Sequence, residues 1–416
     1  MTVHPFNATA GSADWPAGTG MVYLAISPWT SMWKNRHQLM SRFAREMPVL
    51  YVEPWRGLRR VRRTLINGLE PPKLDSQQPA GSGFGQLRVL ASASLPPVST
   101  SKLLGGLTQH LWLRAIRSAA RDAGIDHPIL WISHPRYASA IGRLGETKSI
   151  YHIVDEYGGY TNQEERSRHR LWKAEQAVLN QVDLAIAVSH TLVDAKSGHG
   201  ADVHLVENAV DFDAFDAWRD NRAVPDDIAA IDSPRLGYCG LIGKRLNLDL
   251  IDRLAAAKPE YAIVLVGRVD ERGCGEGLAR LRAHENVHFL GEKPVNEVPA
   301  YVSSLDVGLL PYEINLETNN ISPLKMYEYL AAGLPVISTA IPAAERQRDN
   351  VTICNTTDGF IDACRDALSN PNEDAVRQRL TFAERNSWDA RVEEISLLIR
   401  SEARPEALDS AAVVTS

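Results

Sequence analysis

Residues 311–339 read PYEINLETNNISPLKMYEYLAAGLPVIST. The stretch predicts one unit of an alternating fold: an apolar strand ending at Leu310, a helix, then a second strand over Pro335–Ile337. Ser322 followed by Pro323 is a helix start, because a serine oxygen caps a free N–H and proline lacks one that would be free anyway. The helix is expected to run to about Ala332 and to end at Gly333. Lys325 falls in the first turn, and Glu328 follows on the same face. A helix start gathers unpaired N–H groups and the positive end of the dipole, so it attracts anions. Lys325 makes it a candidate clamp for a diphosphate. Glu328, one turn deeper, is placed to accept hydrogen bonds from a pair of sugar hydroxyls. On spacing alone, an ordinary capped helix with a surface Lys–Glu pair reads the same way.

The same alternation extends outward. Apolar runs at Met21–Ile26, Pro48–Val52, Leu87–Ala91, Ile129–Ile132, Ser149–Val154, Leu184–Val188 and Val203–Val206 predict strands apolar on both faces. Amphipathic stretches at His37–Met47, Leu103–Ala123 and Glu164–Asn180 lie between several of them. A second series covers Arg235–Cys239, Ala262–Val266, Val287–Leu290, Val307–Leu310, Pro335–Ile337 and Val351–Ile353. Strands alternating with helices predict α/β architecture, here two doubly wound domains. The first spans 21–207 and the second 234–386, with an Asp-rich passage at 208–233 that carries Pro225. The ends, 1–20 and 403–416, are small and polar and are expected to be disordered.

The 416 residues suit two domains. With 45 Lys and Arg against 51 Asp and Glu, the net charge is −6, which argues against a nucleic-acid partner. An apolar fraction of 44% is that of a globular chain. The sequence has neither the long apolar run of a transmembrane helix nor the basic, then apolar, opening of a secretory signal. Four scattered cysteines fit a reducing cytosol and show no metal-like spacing.

Facing parallel sheets place ligands just past the carboxyl ends of their strands. Gly240, Gly243, Lys244 and Arg245 follow one strand, with glycines for close backbone approach to phosphate and cations to neutralise it. A turn with solvated charges is the alternative. Gly267 and Arg268 follow the next strand, as a second candidate or a plain loop. In the first half, Asp155 and Glu156 end a strand, His134 ends another, and Asn35 and His37 begin a helix. Each also has a structural reading, as a capping or salt-bridged acid or a packed histidine. Arg56, Arg59, Arg60, Arg62 and Arg63 interleave with Leu58, Val61, Leu65 and Ile66 at roughly helical spacing. That pattern suits either an anionic membrane surface or a solvated basic face.

The run SPLKMYEYLAAGLPVIST resembles the donor-binding signature of the group 1 glycosyltransferases, which have the GT-B fold. RLGYCGLIGKRLNLDLI, YAIVLVGRVD and NVHFLGEKPVNEVPAYVSSLDVGLLPY resemble other parts of that family's second domain. VENAVDFDAF resembles its crossover, and SWDARVEEISLLI, within 387–402, its C-terminal helix that packs back on the first domain. WTSMWKNRHQLMSRFAREMPVLYVEP and YHIVDEY match more loosely, and look most like the bacterial branch that builds surface polysaccharides.

The resemblance implies Rossmann-like domains facing across a cleft. Donor would be bound by Gly240, Gly243, Lys244, Arg245, Gly267, Arg268, Asn320, Ser322, Pro323, Lys325 and Glu328. Acceptor would be bound by Asn35, His37, His134 and Glu156, with Lys325 stabilising the leaving diphosphate; the residues themselves offer Asp155, at a strand end facing the cleft, as the base, and His134 as the alternative. It implies a nucleotide-diphosphate sugar as co-substrate, no metal or other cofactor, and a lipid-linked or saccharide acceptor at the inner face of the cell membrane. One departure stands out. Many retaining members carry a glutamate where this chain has Asn320. A nucleotide-sugar 2-epimerase and a non-catalytic nucleotide-sugar binder are the alternatives within the same fold.

Overall fold

The apolar runs become two stacks of parallel strands. The computed structural model describes residues 15–54, 85–91, 102–156, 165–221 and 223–401. β1 (Thr19–Leu24), β2 (Val49–Val52), β3 (Leu87–Leu90), β4 (His127–Ile132), β5 (Lys148–Ile153), β6 (Leu184–Ala187) and β7 (Val203–Leu205) form one sheet, ordered β3-β2-β1-β4-β5-β6-β7. β8 (Arg235–Cys239), β9 (Ala262–Val266), β10 (Val287–Gly291), β11 (Val307–Leu310), β12 (Val336–Thr339) and β13 (Thr352–Cys354) form the other, ordered β10-β9-β8-β11-β12-β13. All these pairings are parallel. Helical crossovers cover both faces of such sheets, which is why β1, β2, β6, β9 and β11 are buried along their whole length.

Side chains alternate across the first sheet, so each face has its own core. Met21, Tyr23 and Trp131 meet Met40 and Phe43 on one side, while Val22, Leu24 and Leu50 meet Ile116 and Val178 on the other. The second lobe has one continuous core around Leu236, Ile263, Leu309 and Ile337. Residues 208–233 carry the chain between the sheets as helices Phe212–Asn221 and Asp226–Ala229. Phe215, Ile228 and Ile231 enter the second core, so this passage is also part of that lobe. The last helix, Trp388–Ser401, lays Trp388, Val392, Ile395 and Ile399 on the first lobe's core. Buried Arg42 ties these parts together through Asp389 (2.8 Å) and Asp211 (3.0 Å).

One boundary is corrected. Thr19 and Gly20 belong to β1, and Trp15 packs against the first-lobe core, so order begins before residue 21. Residues 1–14, 403–416 and the Arg56–Arg63 cluster lie outside the described residues. Among the described residues, no helix is long and apolar enough to cross a membrane.

Each sheet reverses its order beside its first strand, between β1 and β4 and between β8 and β11. Loops leave such a point toward opposite faces and open a crevice at the strands' carboxyl ends. The loops after β1, β4, β8 and β11 therefore bound the interlobe gap.

Candidate functional site

The helix expected within residues 311–339 is Leu324–Ala331. Its cap residue is Pro323, without a side-chain hydrogen bond, which corrects the expectation that Ser322 caps it. Ser322 is turned toward the crossover instead. Its hydroxyl accepts from the Asn208 N–H (3.2 Å), and its carbonyl accepts from Asn208 Nδ2 (2.7 Å). The first turn is left without a side-chain cap, which is the condition for anion binding there. Gly333, at φ +76°, ends the helix, with Gly333 N–H donating to Leu330 and Leu334 N–H to Tyr329.

Lys325 Nζ lies 2.9 Å from Glu328 Oε2, both side chains about four-fifths buried. Burial disfavours the ammonium, but the adjoining Glu328 carboxylate outweighs it and raises the Lys325 pKa. The pair lines a cavity of about 360 Å³ with Trp33, Lys34 and Gln38 of the first lobe, Asp211 of the crossover, and Trp388. Across the gap, Lys34 stays accessible to solvent. Desolvation and then Arg36 lower its pKa, Asp155 opposes this, and Arg245 and Arg268 add to it. Asp155, Lys34, Arg245 and Arg268 thus share one electrostatic neighbourhood in the gap. A larger depression of about 830 Å³ lies elsewhere, around β13 and helix Thr357–Ser369, and contains none of these residues.

The loops after β8 and β9 lie back to back. Gly240 N–H donates to Val266 (2.8 Å) and Ile242 N–H to Arg268 (3.0 Å). Gly267 has φ +139°, and a Cβ there would stand 1.9 Å from the Gly240 carbonyl oxygen. Gly243 approaches Asp270 in the same way, at 3.1 Å. Lys244 and Arg245 both face Glu317, with Arg245 at 2.7 Å and Lys244 at 3.5 Å. Sequence reading missed Glu317, which lies 72 residues along from Arg245.

The first-lobe candidates each make bonds within the protein. His37 is fully buried; Nδ1 accepts from Lys34 N–H and Nε2 meets the Trp29 carbonyl, each at 3.0 Å. Desolvation pushes its pKa well down, so a neutral ring caps the helix and holds the β1 loop. Asn35 bonds Asn208 through Nδ2 (3.3 Å), and its Oδ1 accepts from Arg36 N–H (2.7 Å). His134 caps the short helix Pro135–Ala140 by accepting from Arg136 N–H (3.0 Å). Burial, then Arg136, lowers its pKa to about 4. Glu156 is bound to Lys196 (2.7 Å), which also holds Glu175 (2.8 Å), itself an acceptor for Tyr151 Oη (2.7 Å). On the facing lobe, Asn320 turns its Nδ2 to the Leu316 carbonyl (2.7 Å) and is nearly buried.

The lobes are also pinned together. Ser189 Oγ donates to the Asn320 carbonyl and Thr191 Oγ1 to the Asn319 carbonyl, each at 2.9 Å. Among the described residues, no group of three or more His, Cys, Asp or Glu side chains could hold a metal ion.

Residues 233–370 match the family model described as "Glycosyl transferases group 1". A Bacillus subtilis (strain 168) protein, TuaH, assigned by name to teichuronic acid biosynthesis as a glycosyltransferase, is 27% identical over 277 residues. The match spans 62% of this chain and 68% of that protein. Among solved structures, sucrose-phosphate synthase from Thermosynechococcus elongatus superposes with a TM-score of 0.65 at 15% identity, over 92% of this chain and 98% of that one. Anabaena HepE, solved with UDP and glucose, gives 0.60 at 14%, over 92% and 99%. WaaG, a glycosyltransferase involved in lipopolysaccharide biosynthesis, gives 0.56 at 15%, over 92% and 99%. The two facing parallel sheets are those of the GT-B fold.

Proposed function

We propose that this glycosyltransferase, whose second lobe is a group 1 domain, moves a sugar from a nucleotide diphosphate to a hydroxyl of a surface-polysaccharide acceptor. The observation that carries the site assignment is the Lys325–Glu328 pair on an uncapped helix start, opening into a cavity lined by both lobes. In this reading the diphosphate lies against the first turn and Lys325, with Arg245 and Arg268 nearby. Glu328 accepts from sugar hydroxyls of the donor, and the Gly240–Gly267 contact keeps the two supporting loops in place. The lobe that carries Asp155 receives the acceptor.

The bond from the anomeric carbon to the diphosphate breaks, and its electron pair leaves on a phosphate oxygen. The acceptor oxygen bonds to that carbon, and its proton passes to Asp155. Fixed cations beside the leaving group stabilise charge as it develops there. Pinning the lobes aligns the reactants and excludes competing water. UDP is the first nucleotide to test, since HepE was solved with it.

The finer reading takes the acceptor as lipid-linked and the Arg56–Arg63 segment as its contact with an anionic membrane at the cytoplasmic face. A thermal-shift panel of nucleoside diphosphates, followed by a radiolabelled transfer assay on membrane extracts, tests the function. Stabilisation by a diphosphate and label in a saccharide product are expected. Isomerised nucleotide sugar without any product would overturn transfer.

A further inference from the structure

A second cavity, about 730 Å³, opens between the lobes away from Lys325. Its first-lobe wall is helix Glu165–Leu179, through Glu165, Arg168, His169 and Trp172, and its second-lobe wall is Leu316, Asn319 and Asn320. Thr191, which also lines it, bonds the Asn319 carbonyl (2.9 Å), so the walls meet only when the lobes are together. Trp172 is 45% exposed and Leu316 56%, so this open cavity presents large apolar side chains to solvent. The His169 ring stacks near-parallel to Trp172, 15° between planes and 6.0 Å between centroids. With Trp172 half-exposed, the ring pair gives the cavity an aromatic surface.

Cations outnumber acids on the helix that forms this surface. Arg166, Arg168, Arg170 and Lys173 lie on the same helix, and none has an ion-pair partner among the described residues. Two acids line the cavity: Glu156, which is paired with Lys196, and Glu165 at the start of the helix. Residues 21–207 hold 23 Lys and Arg against 16 Asp and Glu, a net +7 in a chain of net −6. An aromatic plane suits the apolar face of a pyranose ring, which carries C–H groups. Unpaired guanidinium groups beside it suit a carboxylate or phosphate.

We propose that this cavity is a saccharide subsite in which an acceptor's pyranose ring stacks on Trp172 while Arg168 reads an anionic group on it. The word acceptor rests on the transfer reading above, but the binding does not. The cavity places the ring beside Glu156, one residue from Asp155, so a hydroxyl of the same chain is carried toward the proposed base. Arg168 also sets specificity: neutral sugars stack, and acidic sugars stack and pair.

The test is direct binding to the full-length protein by saturation-transfer NMR titration. The probes are a glucuronic-acid-terminated disaccharide, its neutral glucose counterpart, and glucose 6-phosphate. Wild type is expected to bind the uronide about tenfold more tightly than the neutral sugar. Trp172→Ala should weaken both disaccharides about tenfold, and Trp172→Phe should restore most of that. Arg168→Ala should remove the uronide preference alone. Uronide and phosphate arms of equal strength would assign the site to anionic sugars in general; a strong phosphate arm alone would overturn the stacking role. Unchanged binding by Trp172→Ala, or no binding of any probe to wild type, would also overturn the proposal. UDP-induced thermal shift serves as control: if it survives in Trp172→Ala, the donor reading stands whatever becomes of this site. If Trp172→Ala instead lost binding to anionic phosphatidylglycerol vesicles and kept the sugars, the surface would be a membrane contact.

Discussion

Glu328→Gln keeps the size of the side chain and removes its charge, which makes it a sharp perturbation of the proposed donor site. Two effects are expected. Lys325, 22% exposed at its side chain, loses the carboxylate 2.9 Å away. Breaking a fully buried pair costs about 3–5 kcal/mol, and here partial exposure and the adjoining cavity reduce that to about 1–3 kcal/mol. At about 2–4 °C per kcal/mol for a lobe of this size, the melting temperature falls by several degrees.

The second effect is on ligand. Hydrogen bonds to a charged group contribute about 1.5–3 kcal/mol, so UDP affinity should drop about 10- to 100-fold. Inorganic pyrophosphate has no sugar hydroxyls, and the freed Lys325 should hold it at least as well as before. Calorimetric titration of both ligands into both proteins separates the effects. A variant that melts lower yet binds UDP within twofold of wild type would refute the reasoning, because Glu328 would then be a counter-ion for Lys325 and nothing more.

Other expectations follow from the same geometry. Lys196→Met should destabilise by about 3–5 kcal/mol, since it leaves Glu175 and Glu156 buried without a cation, and Glu175→Gln on top should restore part of it. Burial lowers the Lys196 pKa, but Glu175 and Glu156 raise it overall above the ordinary 10.5. The stability gap between wild type and variant in urea unfolding should therefore hold from pH 7 to 9 and narrow once the pH rises beyond that value. Gly267→Ala should cost several kcal/mol, because its Cβ would collide with the Gly240 carbonyl; a normal melting curve with normal UDP binding would contradict the loop contact. His37 and His152 are buried, with pKa values pushed below 6.5 chiefly by desolvation, His152 to about 3. Below pH 6.5 the unfolded chain takes up protons that the folded one refuses, so stability is lost as pH falls. The loss is about 2 kcal/mol for the two between pH 6 and pH 5. His37→Gln should flatten that slope in pH-dependent denaturation.

The strands were legible because a parallel strand covered on both faces must be apolar at successive positions. Runs such as Ala262–Val266 and Val307–Leu310 leave little room for another reading. Lys325 and Glu328 were legible because three residues of helix bring them together whatever surrounds it. What escaped was set by distant partners. Ser322 looked like a cap, but Asn208, 114 residues away, takes its hydroxyl. His37 looked like a ligand at a helix start, but the Trp29 carbonyl folds back on it. Glu317 gave no local sign that it would hold Lys244 and Arg245. That contact needs the bridge between Leu246 and Tyr312 to bring the two loops side by side. The passage at 208–233 looked like a connector because its charges are dense. Yet Val210, Phe215, Ile228 and Ile231, spaced among those charges, enter the second-lobe core.

The most direct measurement is a crystal structure of the protein with UDP. The account predicts the diphosphate in the interlobe gap, with a phosphate oxygen within hydrogen-bonding distance of Lys325 Nζ and of the first N–H groups of helix Leu324–Ala331, and a ribose hydroxyl on Glu328. UDP bound in the depression around β13, or in the gap with Lys325 and Glu328 still paired only to each other, would contradict it.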